Sequence, residues 1–157
     1  MNEETKKALS SVTTGLYILT TGTLAEPHGM IVSWASQVGF DPALVMVAVR
    51  QNRFLHDLIP RFGCFGLNVL PPGLEDFLPF FKKASPEEKF RRLDLFTAVT
   101  GAPLVRQALA CLDCRLAETI RPGDHTLFLG RVEEGRQLGE GSPMTSLDYG
   151  HVYLGQS

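Results

Sequence analysis

Arg50-Gln51-Asn52-Arg53 sets two guanidiniums three residues apart, directly after the apolar run 44–49 and before a stretch with helical spacing. Guanidiniums beside backbone amides at a helix start suit a phosphate or another oxyanion, and Asn52 stands where it can cap that helix. A solvated turn with two surface arginines accounts for the same four residues, and the segment alone does not choose. Gly29-Met-Ile-Val-Ser-Trp-Ala-Ser-Gln-Val38 is the second segment with more than scaffold chemistry. If it is extended, Met30, Val32, Trp34 and Ser36 share one side, and Ile31, Ser33, Ala35 and Gln37 the other. The hydroxyls of Ser33 and Ser36 can grip the polar edge of a flat ring, with Met30 and Trp34 as apolar contacts. A barrel strand with solvent-facing serines fits the same spacing. His125 opens the run His125-Thr-Leu-Phe-Leu-Gly130 and so belongs at a sheet rim, as a structural hydrogen-bonded residue or a functional one.

Other reactive groupings are absent from the sequence. The four histidines, His28, His56, His125 and His151, share no ligand spacing, so no metal site is expected. There is no GxSxG elbow, Walker loop or GxGxxG turn, which argues against a hydrolase and against a Rossmann domain. Cys111-x-x-Cys114 lies in an alternating run, 108–117, that reads as a strand, where residues three apart point to opposite faces. Buried structural thiols are expected there, with Cys64 as a third.

The elements that must carry these residues are mostly strands. Residues 3–12 suggest an opening helix with Ala8, Leu9 and Val12 as its apolar stripe. Residues 16–21 and 29–40 read as strands, and 44–49 is continuously apolar, as in a strand buried on both faces. A helix is expected over 54–62 with Leu55, Leu58 and Ile59 inward, then a strand over 64–70 and a helix over 74–81. A polar insertion follows over 82–92. Two longer strands are expected at 110–119 and 125–134, and a last extended piece at 149–154. With no βαβ alternation, the pattern favours a closed or nearly closed antiparallel barrel.

The chain has 157 residues, 44% hydrophobic and 20% charged, with a net charge of −2. That size and composition fit one domain spanning 1–157 with its own core. The charge gives no case for nucleic acid or an anionic membrane, and no apolar run is long enough to span a bilayer. The polar, mixed-charge N-terminus and the odd cysteine count point to the cytoplasm.

Taken in order, the segments resemble the flavin reductase-like family, the FMN-binding split barrels. The landmarks are Thr14-Gly-Leu-Tyr-Ile-Leu-Thr-Thr21, Gly29-Met-Ile-Val-Ser33, Asp41-Pro-Ala-Leu-Val-Met-Val-Ala-Val49, Phe65-Gly-Leu-Asn-Val-Leu70, Glu88-Lys-Phe90, Gly101-Ala-Pro-Leu104 and Asp124-His-Thr-Leu-Phe-Leu-Gly-Arg-Val132. The last, Pro143-Met-Thr-Ser-Leu-Asp-Tyr-Gly-His151, is similar to the flavoredoxin and rubredoxin-linked branch. The resemblance implies a mainly β, six-stranded antiparallel split barrel with short flanking helices, and a homodimer that binds FMN near the subunit interface. It implies electron transfer from NADH or NADPH through FMN, in preference to FAD or riboflavin, to a separate flavin, small redox protein or oxygenase. Rival readings are release of free reduced flavin to a monooxygenase, a flavin- or haem-binding module without activity, and a structural dimer with a vestigial pocket.

By position, Met30, Ile31, Val32, Ser33, Trp34 and Ser36 match the segment lining the ring. Arg50, Gln51, Asn52 and Arg53 match the phosphate loop. Lys89 and Phe90 match a loop that approaches the flavin, and His125 the histidine beside which nicotinamide stacks. Asn52 and Leu55 stand where many members carry Ser and Thr, so phosphate binding rests on Arg50, Arg53 and backbone amides.

Overall fold

The computed structural model describes residues 1–150. Helix α1 (Glu3–Leu9) is held by local forces: Asn2 Oδ1 accepts from the Thr5 amide at 2.8 Å, and Lys6 pairs with Glu3 at 2.6 Å. It stops short of the expected Val12. Its stripe of Ala8, Leu9 and Val12 stays exposed among the described residues.

The sheet is built from β1 (Tyr17–Gly22), β2 (Pro27–Val32), β3 (Ala35–Phe40), β4 (Ala43–Arg50), β5 (Cys64–Val69) and, later in the chain, a long hairpin; α2 (Leu55–Phe62) precedes β5. After β5 come α3 (Phe77–Lys83), α4 (Pro86–Arg91) and a small ribbon, β6 (Leu95–Phe96) with β7 (Leu104–Val105). The hairpin is β8 (Ala110–Ile120) with β9 (His125–Gln137), and α5 (Ser146–Tyr149) ends the described chain. The extended piece expected over 149–154 therefore begins in a helix and otherwise lies outside the described residues.

Seven strands form one antiparallel sheet in the order β2-β1-β5-β8-β9-β4-β3. Its two edges, β2 and β3, are consecutive in sequence and joined only by Ser33 and Trp34. One bent segment thus pairs with β1 on one side and β4 on the other, and the sheet is brought round into a barrel. Counting β2 and β3 as that single segment gives six strands, as expected. The bend resets the alternation. Met30 and Val32 face the barrel interior, but so does Ala35, so Trp34 and Ser36 do not share the face of Met30 and Val32.

Inside the barrel, Leu19, Val45, Val47, Val49, Phe65, Leu67 and Phe128 form the core, and α2 plugs one end with Leu55 and Ile59. Each fully buried side chain of this size contributes about 1.5–3 kcal/mol relative to exposure. A second core lies outside β1 and β5, where α3 and α4 supply Leu78, Phe81 and Phe90. The stretch 82–92 is thus no polar insertion. Ser85 and Glu88 make a reciprocal capping box, with Pro86 at the helix start, and α4 follows.

Strand β4 departs from the expectation of burial on both faces. Val45, Val47 and Val49 are buried, whereas Leu44, Met46 and Ala48 on the outer face are only half-buried. Cys114 faces the barrel core and Cys111 the cluster under β6 and β7, so the two thiols lie on opposite faces. Burial pushes the thiols of Cys64, Cys111 and Cys114 up, Cys114 furthest. Native protein at pH 8 is therefore expected to leave a disulfide-exchange reagent such as Ellman's untouched, with all three cysteines reacting once guanidinium unfolds it. A fast native thiol would contradict this packing. No described helix is long and apolar enough to cross a membrane.

Candidate functional site

The β4–β9 ladder ends in the pair Arg50 and His125. The turn before β9 is clasped against the end of β4: the Gln51 amide donates to Asp124 O at 3.1 Å, and Gln51 Nε2 donates to Gly123 O at 3.0 Å. Asp124 then contacts both candidate side chains. Its Oδ2 lies 3.5 Å from Arg50 Nε, and its Oδ1 accepts from His125 Nδ1 at 2.7 Å. The hydrogen bond from His125, followed by the charges of His125 and Arg50, holds the Asp124 carboxyl below the usual aspartate range. A depressed carboxyl contributes above its ordinary pKa and is lost as pH falls through the lowered value, so this clasp stays intact across neutral pH. Asp124 fixes the Nδ1–H tautomer of His125. Spacing in the sequence gave no sign of this role, because the strand register alone brings Asp124 to Arg50.

Trp34 completes the group. Its carbonyl accepts from the Ala48 amide at 2.9 Å, extending the β3–β4 ladder around the bend. Its ring lies 4.8 Å from that of His125, tilted by 41°, and it remains 38% exposed. Trp34, Ala48, Arg50 and His125 lie on the outer face of the barrel with Met46, Leu127 and Leu129. The last two and Met46 are half-buried and join none of the buried clusters.

Arg53 closes the turn, its amide donating to Arg50 O at 3.0 Å, and its side chain is half-buried. The cap expected from Asn52 does not form. Phe54 occupies the N-cap of α2 with helical φ and ψ and no side-chain hydrogen bond, because the helix leaves a turn rather than an extended segment. Asn52 is exposed.

The remaining expected residues lie elsewhere. Met30 and Val32 are spent on the barrel core, and Ile31 packs on the outer cluster of α3 and α4. Ser33 is half-buried at the bend. Ser36 is the exception: it is exposed and pairs directly with Met46, so it shares the outer face with Met46 and Trp34, four residues before Arg50, or about 13 Å along the strand. It lines a cavity of about 350 Å³ with Tyr17, Val45, Leu67 and Val132 at the far mouth of the barrel. Lys89 and Phe90 sit in a helix rather than a loop. Phe90 is core, edge-on to Phe81 at 5.7 Å. Lys89 Nζ donates to Gly29 O at 3.4 Å and lies 5.3 Å from the Phe81 ring, and burial pulls its pKa down. A Cβ on Gly29 would lie 2.8 Å from Phe90 Cζ, so glycine is what lets α4 seat this closely on β2.

The sequence-expected residues thus fall into two groups, Trp34, Ser36, Arg50, Gln51, Arg53 and His125 on or beside the β4–β9 face and Lys89 with Phe90 against β2. The first offers a flat apolar shelf, an aromatic pair at its end and two guanidiniums beyond it. That donor set suits a planar heteroaromatic ligand carrying an anionic group, bound by stacking and charge-assisted hydrogen bonds.

Residues 9–155 match the family model described as flavin reductase like domain. At 31% identity over 152 residues, covering 96% of this chain and 88% of the relative, the chain is similar to an NADH-dependent flavin reductase of Pseudomonas fluorescens. It is 30% identical over 149 residues to a ferric-chelate reductase (NAD(P)H) of Archaeoglobus fulgidus, covering 91% of this chain and 87% of that one. Among solved structures, the flavin reductase component of a bacterial two-component tryptophan halogenase aligns with a TM-score of 0.79 at 28% identity, covering 90% of this chain and 91% of that one.

Proposed function

Since the chain belongs to the flavin reductase-like family, we propose that it is an FMN-dependent oxidoreductase that draws electrons from NADH or NADPH and delivers them to a separate acceptor. The observation that carries this reading is the Trp34–His125 pair standing between the half-buried β4–β9 face and the guanidinium of Arg50. When bound, FMN supplies the redox chemistry, taking a hydride from the nicotinamide and passing electrons onward.

The chain's own residues bind and orient. Arg50 and Arg53, with Gln51 and Asn52 in the same turn, hold the single phosphate of FMN, which riboflavin lacks. The outer face of Met46, Ala48 and Leu127 takes the ring, with Trp34 at its edge and Ser33 at the bend within reach of the ring's polar rim. His125, held by Asp124, positions the nicotinamide and offers a hydrogen-bond donor to negative charge that develops beside it. Met30, Ile31, Val32 and Phe90 act as scaffold, and Lys89, bonded to Gly29 O, ties α4 to β2.

The exposed apolar stripe of α1 and the half-buried β4–β9 face support a homodimer that covers the first and borders the second, leaving the shelf open to flavin. Three buried cysteines and no disulfide among the described residues suit a reducing, cytoplasmic setting. The acceptor is a flavin, a small redox protein or an oxygenase. The openness of the shelf also supports a second reading, in which flavin diffuses in, is reduced and leaves for a partner oxygenase.

An absorbance spectrum of the purified protein before and after NADH under anaerobic conditions tests the proposal. Bands near about 370 and 450 nm that bleach on NADH addition are expected for a resident flavin. A colourless protein that oxidises NADH only with added FMN would select the diffusible reading. No binding of added FMN would sink both.

A further inference from the structure

His56 is a second histidine tied to this end of the barrel, and none of the roles above uses it. It belongs to the first turn of α2, yet its ring is turned inward, with a side chain only 12% exposed and a centroid 5.6 Å from that of Phe128. Both ring nitrogens are engaged. Nδ1 lies 2.8 Å from Asp57 Oδ1, and Nε2 lies 2.7 Å from Thr126 Oγ1. The exposed Asp57 carboxylate accepts the Nδ1 proton. In that tautomer Nε2 accepts from the hydroxyl of Thr126, a side chain with no exposed surface.

The main chain of the same residue has a different attachment. The His56 amide donates to Arg53 O at 3.0 Å, and Arg53 in turn donates to Arg50 O at 3.0 Å. His56 is therefore joined through its backbone to the turn carrying both guanidiniums. Through its ring it is joined to the residue that follows His125 in β9. Thr126 pairs with Val49, and His125 with Arg50, so the bond to Thr126 spans the two parts of the proposed site.

We propose that His56 is a positioning residue that sets the distance between the phosphate-holding turn and His125, through its hydrogen bond to Thr126. The inference rests on the flavin reading above. Losing the bond lets the start of α2, and with it Arg53, shift against β9, while Arg50 and Gln51 stay held by the ladder and by Asp124 and Gly123. The phosphate and the ring of FMN could then no longer be satisfied together. Riboflavin, which makes no demand on the turn, would bind as before. A merely structural histidine would lower the affinities for both flavins together, or lower stability alone.

The test compares FMN and riboflavin affinity, by flavin fluorescence titration, in wild type, His56→Ala, His56→Gln, Thr126→Val and the His56→Ala/Thr126→Val double variant. Thr126→Val removes the hydroxyl while keeping a branched side chain of similar shape, so it serves if His56→Ala fails to fold. The FMN-over-riboflavin preference is expected to fall about tenfold or more in His56→Ala and in Thr126→Val, as misplacing one part of a two-part site does. His56→Gln, which keeps an acceptor at similar reach, is expected to recover most of the preference. The double variant is expected to lose no more than either single one, since both remove the same bond. An unchanged preference in folded His56→Ala or Thr126→Val overturns the assignment. So does a double variant whose losses add. A wild-type protein that binds neither flavin overturns the flavin reading itself, which the wild-type titration reveals before any variant is compared.

Discussion

Replacing Arg50 and Arg53 together by alanine is expected to weaken FMN binding by about two to four orders of magnitude. Each charge-assisted hydrogen bond to a phosphate contributes about 1.5–3 kcal/mol, and a factor of ten in affinity corresponds to about 1.4 kcal/mol. The two residues share one turn, closed by the bond from the Arg53 amide to Arg50 O, and the proposed function has both guanidiniums serve one anion. Arg50 has a further task. Its Nε faces Asp124 at 3.5 Å, and without it the Asp124 carboxylate stands at the site without that counter-charge. Riboflavin affinity should change little in the double variant. Flavin fluorescence titration of both ligands separates a lost phosphate contact from a damaged fold. FMN affinity equal to that of the wild type would remove the arginines from the site.

His125→Ala is expected to slow reduction by NADH about 100- to 1,000-fold, the range seen when a positioned hydrogen-bond donor is removed from a site of developing charge. FMN affinity should fall far less, because the phosphate contacts stay in place. His125 is built for orientation: Asp124 holds Nδ1 at 2.7 Å, the Trp34 ring lies 4.8 Å away, and the ladder pairs it with Arg50. Anaerobic stopped-flow absorbance near about 450 nm reads the flavin directly and keeps acceptor steps out of the rate. A wild-type reduction rate in this variant would leave His125 a structural rim residue.

Much of the barrel was legible in the sequence because strands with one face in a core print their alternation, and the helix carrying Leu55, Leu58 and Ile59 printed its stripe. The bend at Ser33 and Trp34 was not legible. A shift of alternation inside a continuous run leaves no mark in composition, and it put Trp34 and Ser36 on the opposite face from Met30 and Val32. The double apolar face of β4 was legible but misread. Its outer side is only half-buried within the protomer because no described helix covers it. Start signals for α4 were in plain view at Ser85, Pro86 and Glu88, and the surrounding charge concealed them. Among the candidate site residues, the turn and His125 stand out from order along the chain, and the ladder pairs Arg50 with His125. Asp124 became visible only through the β4–β9 register, which joins residues far apart in sequence.

The bend also makes Trp34 a marker of when the fold completes. Pairing within β1–β2, β3–β4 and β8–β9 is local and rapid, whereas joining β4 to β9 and β1 to β5 must first pay the entropy of closing long loops. Trp34 meets His125 only after β9 has docked on β4. It is the single tryptophan of the chain, so tryptophan emission, excited selectively over the three tyrosines, comes from this seam alone. Its change during refolding therefore times the closing of the ring, separately from the earlier collapse of the core.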